Sequence, residues 1–150
     1  MTWRWLLAGL HLLALGIGVG AVWARGRGLK GPLDAAALKR VFYADTWWGI
    51  AALLWVATGL VRLFGGLEKA SAYYLHNHLF WVKMGLLGVI LVLEVAPMLA
   101  LIRWRGAVRR GQLPETGSAP RFARISFVQA GLVVLMVLAA TGMARGYGGL

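Results

Sequence analysis

Four long apolar runs separated by three polar connections set the pattern of this chain, and they predict four membrane-spanning helices at about residues 3–24, 41–64, 78–102 and 124–145. The first run, Trp5 to Ala24, is twenty residues interrupted only by His11, the length one spanning helix needs. A single Arg4 precedes it and Arg25, Arg27, Lys30, Lys39 and Arg40 follow. That charge bias reads as a permanent helix rather than a cleaved signal, whose apolar core is shorter and ends at a small-residue site. Gly16 and Gly20 form a GxxxG pair with Gly9 and Gly18 nearby, spacing that lets a neighbouring helix or a flat ligand come close. Pro32 and Asp34 suit the start of a helix. Tyr43, Trp47 and Trp48 read as interfacial anchors of the second span, and Tyr73 and Tyr74 play that part on the far side. Asp45 lies near the same boundary, hydrated or paired with Arg40. Pro97 should bend the third span near its inner end.

Charge fixes an expected orientation. The first and third connections together carry eleven of the sixteen basic residues, whereas Arg4, Arg62, Lys69 and Arg145 are spread over the other three polar segments. The positive-inside rule then puts both termini outside and both basic connections in the cytoplasm. ATGLVR at Ala57–Arg62 recurs as ATGMAR at Ala140–Arg145, at the outer ends of two spans that run the same way, which suggests a parallel duplication of a helical hairpin.

Composition narrows the functional classes. A chain of 150 residues that is 60% hydrophobic and 14% charged belongs mostly in lipid. Its net charge of +11 is clustered between the apolar runs, so it reads as topology and not as a nucleic-acid surface. The absence of cysteine excludes disulfides, thiolate metal sites, iron–sulfur clusters and covalent haem attachment. No phosphate loop, zinc-protease pattern or activated nucleophile is present.

The chemistry that remains sits in the third span. At roughly 100° per residue, His76, Lys83 and Glu94 fall on one helical face. Ionisable groups at membrane depth face a bundle interior, a water-filled cavity or a ligand. Counted from either end, His11 of the first span lies near the Lys83 end of this stripe. An imidazole beside a lysine can ligate haem whose propionate the lysine pairs, bind copper with histidine and methionine, or relay protons with a carboxylate. The bland alternative has His11 bonded to a helix carbonyl and Lys83 and Glu94 neutralising each other. His76 and His78 lie at the outer interface and point to opposite sides of a helix. Met84, Met98, Met136 and Met143 are soft donors that also serve packing.

The histidine early in the first span (AGLHLLALG) and the lysine early in the third (FWVKMGLL), each followed by a basic segment, resemble the HemJ-type protoporphyrinogen oxidases, small four-helix membrane proteins that use b-type haem. A similar pairing occurs in the CopD-type copper-resistance membrane proteins. Taken whole, with WLLAGLHLLALGIGVGAVWARGR, LHNHLFWVKMGLL and ALIRWR, the chain is most similar to a bacterial family of uncharacterised integral membrane proteins related to both. The resemblance implies that His11 is a haem ligand and Lys83 a functional lysine. Glu94 and the His76/His78 pair have no counterpart in the HemJ pattern.

Together these readings give an expectation: an all-α, four-helix protein of the bacterial inner membrane that binds haem b for electron transfer or porphyrin(ogen) oxidation. His11 is an axial ligand, and the second comes from His76 or His78, ahead of Met84 or Met136. Lys83 and Arg4 face cofactor or substrate carboxylates, and Glu94 moves protons with Lys83 or balances its charge. The metal ligands are drawn from His11, His76 and His78. A quinone, a partner protein or oxygen takes the electrons, and the glycine-lined first helix serves a homodimer. Two rival expectations are a copper or small-solute transporter and a cofactor-free helical subunit of a membrane complex.

Overall fold

A computed structural model describes residues 2–65 and 71–149. Lys69, counted above among the outer charges, lies outside them. The chain forms α1 (Thr2–Gly28), α2 (Ala35–Phe64), the short α3 (Ser71–Leu75), α4 (His78–Arg109) and α5 (Ala119–Ala144). All four long helices are long and apolar enough to cross a membrane, and the described residues contain no strand. Leu53 and Val92 are each 74% exposed, as side chains that face lipid and not water should be. The protein is an integral membrane helix bundle.

The helices run past their apolar cores at the basic end. Helix α1 ends at Gly28 and α4 at Arg109; arginine is a good helix former, and the helices carry on through Gly26 and Gly106 without a break. Helix α2 begins at Ala35, where the Asp34 carboxylate accepts from the Ala37 amide at 2.7 Å, an N-cap that meets the expectation for Asp34. The helix α4 continues through Pro97. The turn α3 was not foreseen.

Two hairpins, α1–α2 and α4–α5, are the most extensive pairings, and α1 also packs along α5. The long helices α2 and α4 complete the ring with little direct contact. Close approach of α1 falls at Gly18, Gly26 and Gly28, where a Cβ would meet Val41 at 2.9 Å, not at the Gly16/Gly20 pair. A Cβ on Gly18 would lie 3.4 Å from that of Ala51, and one on Gly26 would lie 3.1 Å from the Phe127 ring, whereas Gly9, Gly16 and Gly20 have nothing within 4 Å. Two apolar clusters fill the bundle. One, at the basic end, centres on Leu38, Phe42, Leu101 and Phe122; the other, at mid-depth, on Ala14, Val22, Trp55, Val133 and Met136.

The C-terminal tail folds back on the opposite end. The His78 amide donates to Gly148 O at 2.8 Å, Asn77 Nδ2 to Tyr147 O at 3.1 Å, and Tyr73 to Met143 O at 3.1 Å. Gly148 has φ +77°, and a Cβ there would meet Leu79 at 2.8 Å and Asn77 Oδ1 at 2.9 Å. Gly148→Ala should therefore open this clasp at a cost of about 1–2 kcal/mol from the left-handed backbone alone, read as faster hydrogen exchange at the His78 amide.

Candidate functional site

Two polar centres lie on the inward faces of the long helices. Along α1, His11, Gly18 and Arg25 recur every seven residues and so share a face. On antiparallel α2, Thr58 stands opposite His11, Ala51 opposite Gly18 and Asp45 opposite Arg25.

The centre nearer the basic end is built on Arg25, which is fully buried. All five of its donors are used. Nε donates to Ser126 Oγ at 3.0 Å. Nη1 donates to Asp45 Oδ1 at 2.8 Å and Glu94 Oε1 at 2.7 Å, and Nη2 to Glu94 Oε2 at 2.9 Å and Gln129 Oε1 at 2.8 Å. The pairing with Glu94 is bidentate, the geometry guanidinium suits best. Glu94 Oε2 also accepts from Trp48 Nε1 at 3.0 Å and Gln129 Nε2 at 2.8 Å. The second oxygen of Asp45 takes Arg105 Nη2 at 2.8 Å, and Arg105 reaches on to Phe42 O and Thr46 Oγ1. Two arginines and two carboxylates make a neutral knot to which each long helix contributes.

This overturns two expectations. Glu94 is held by Arg25, not balanced by Lys83, because eleven residues on α4 separate them by about 16 Å while α1 delivers Arg25 directly. Asp45 pairs with Arg25 and Arg105; Arg40 faces outward on the next turn and is exposed. Arg25, Arg105, Ser126 and Gln129 were not singled out as site residues in the sequence, and Trp48, read there as an interfacial anchor, is buried and donates to Glu94 instead. The signal was there for Arg25, which keeps the heptad phase of His11, but its position just past the apolar run read as a loop. With every donor of Arg25 used, the knot ties all four long helices together.

The other centre is built on His11. Its Nδ1 lies 2.7 Å from Thr58 Oγ1. The Thr58 hydroxyl is also 2.7 Å from Leu54 O and 3.1 Å from Trp55 O, and a carbonyl can only accept. With the hydroxyl proton on one of those carbonyls, Oγ1 accepts Nδ1–H and Nε2 carries the imidazole lone pair. The Trp55 ring stands 5.9 Å from His11, centroid to centroid, and among the described residues its buried Nε1 has no hydrogen-bond partner. Gly59 keeps this side of the ring close to backbone: a Cβ there would sit 3.5 Å from His11 Cε1. Lys83 is half-buried on α4, near enough to Arg62 of α2 for their charges to interact.

The remaining candidates are not gathered here. Arg4, His76 and His78 are exposed, and the His76 ring lies 2.8 Å from Ala72 O. Among the described residues no three histidine or carboxylate side chains are grouped to hold a metal ion, so His11, His76 and His78 do not form one ligand set. Met136 is packed in the mid-depth cluster. The two copies of the ATG motif also differ in use: Thr58 holds His11, whereas Thr141 is exposed and bonds only Leu138 O among the described contacts.

A family model described as a predicted membrane protein (DUF2214) matches residues 3–148. It supports the resemblance to a family of four-helix membrane proteins and does not bear on HemJ or CopD. Neither the curated proteins nor the solved structures give a match.

Proposed function

The chain belongs to this family of predicted membrane proteins, and on that premise we propose that it binds haem b in the half of the bundle around His11, for electron transfer or porphyrin(ogen) oxidation. The observation that carries the reading is the Thr58–His11 pair. Histidines that ligate metal through one ring nitrogen hold the other in a hydrogen bond that fixes tautomer and ring orientation. Thr58, locked in turn by the backbone of α2, does that for Nδ1 and leaves Nε2 basic.

The surrounding residues fit the group chemically. Lys83 and Arg62 supply cations for the propionates, and Trp55 Nε1 is a buried donor awaiting an acceptor. The cavity beneath Trp55, between Ala14, Gly18 and Ala51, holds only about 10 Å³, so a macrocycle finds no room there. The seam between α2 and α4 is where the bundle can part, since their direct bonds lie at Trp48–Glu94 and around Arg105. Bound haem supplies one-electron chemistry at iron; the chain supplies an oriented imidazole, two cations and exclusion of water. The orientation that goes with this reading has both termini on the outer side of a bacterial inner membrane and the Arg25 knot towards the cytoplasm. That knot spans the bundle centre and favours a closed cofactor protein over a solute passage.

The test is the absorption spectrum of protein purified in mild detergent, oxidised and dithionite-reduced. Wild type should show a Soret band with sharp reduced α and β bands. His11→Ala should lose them, and Thr58→Val should retain haem about 10- to 100-fold more weakly, the usual effect of removing an outer-shell partner. Full haem content with an unchanged spectrum in His11→Ala would sink the reading.

A further inference from the structure

The basic end of the bundle carries a groove separate from both polar centres. It runs between the residues after α1 and the first turns of α5, holds about 530 Å³, and is lined by Lys30, Pro120, Arg124, Phe127 and Val128. Lys30 and Arg124 are exposed, and among the described residues neither is in an ion pair. The Phe127 ring lines the same groove. Its position is fixed from behind by α1, since a Cβ on Gly26 would touch it at 3.1 Å, and from the side by Trp23, edge-on at 4.8 Å. Lys30 Nζ lies 4.8 Å from the centre of the same ring. Trp23 and Val128 turn outward, 53% and 46% exposed.

The groove thus has two chemistries in the order a membrane presents them. Cations sit where α1 and α5 leave the apolar zone, and an aromatic and aliphatic wall leads back into it. We propose that it binds the headgroup of an anionic phospholipid, with the phosphate between Lys30 and Arg124 and the first acyl carbons along Phe127 and Val128. Charge complementarity selects the lipid class. A zwitterionic headgroup brings its own cation and leaves the net positive charge of the pair unchanged, whereas an anionic one such as phosphatidylglycerol adds a negative charge with no cation beside it and offsets half of it. Basic pockets between transmembrane helices on the cytoplasmic side hold anionic headgroups by this means. A free phosphate would gain the two cations but not the apolar wall.

Native mass spectrometry of the full chain released from detergent micelles tests this, with phosphatidylglycerol, phosphatidylcholine or inorganic phosphate added. Wild type should retain phosphatidylglycerol and not phosphatidylcholine. The Lys30→Gln/Arg124→Gln double variant should bind it roughly 30-fold more weakly, about fivefold for each basic side chain near the surface. Lys39→Gln/Arg109→Gln, which removes two exposed charges from the same end but outside the groove, should bind like wild type. All four side chains are exposed, so helicity by circular dichroism should be unchanged throughout. Equal loss in the two double variants, equal retention of phosphatidylcholine, or full competition by inorganic phosphate would each overturn the proposal.

Discussion

Arg25→Ala is expected to cost about 3–5 kcal/mol of stability, the loss typical when one partner of a buried ion pair is removed. The substitution strands Glu94 with only the Trp48 and Gln129 donors, and it leaves Ser126 Oγ and Gln129 Oε1 without the guanidinium hydrogens they accept. Asp45 suffers less because Arg105 stays. Arg25→Lys keeps the charge but offers three donors from one point in place of a planar five-donor fork, so it should recover only part of the loss. Thermal unfolding of the purified protein in detergent measures both. An Arg25→Ala melting temperature within a degree or two of wild type would mean that the knot is not what joins the helices.

The second large effect is a coupling. Glu94→Leu alone leaves Arg25 facing one carboxylate oxygen and should destabilise about as much as losing the arginine. The Arg25→Met/Glu94→Leu double variant removes both charges together and replaces them with apolar bulk. Its loss should be smaller than the sum of the two single losses by about 2–3 kcal/mol, the upper range for residues in direct contact. Strict additivity in that cycle would show that the bidentate pair contributes nothing specific. Lys83→Met paired with Glu94→Leu should be additive, since the two do not meet.

Much of the fold was legible because lipid leaves few choices. Backbone groups in hydrocarbon must bond within their own segment, so four apolar runs of spanning length mean four helices. Helix ends were less legible. Hydropathy stops where arginine begins, but the backbone does not, and α1, α2, α4 and α5 all extend beyond the apolar runs at the basic end. That shift hid the knot. Arg25 and Arg105 read as loop charges, although each lies on a helix and bonds into the knot; Gln129 and Ser126 carry no charge and left no mark on the hydropathy pattern. Glu94 was recognised as a residue needing a partner, and the partner was sought on its own helix because a single sequence gives no distance between helices. The phase of His11 on α1 could be read, but its dependence on Thr58 could not. That bond needs the register of α1 against α2, which packing of Gly18 on Ala51 sets.

The knot also orders the birth of the protein. The chain emerges from its N-terminus, so Arg25 meets the membrane long before Glu94 exists. Asp45, on the very next helix, is already bonded to it in the finished fold, so the first hairpin can enter lipid carrying no net buried charge. Glu94 and Arg105 then arrive on one helix as a second balanced set, and α5 adds only the uncharged Ser126 and Gln129. Each hairpin thus carries arginine and carboxylate in equal number for the knot, so neither Arg25 nor Glu94 has to wait in the bilayer for the other half of the chain.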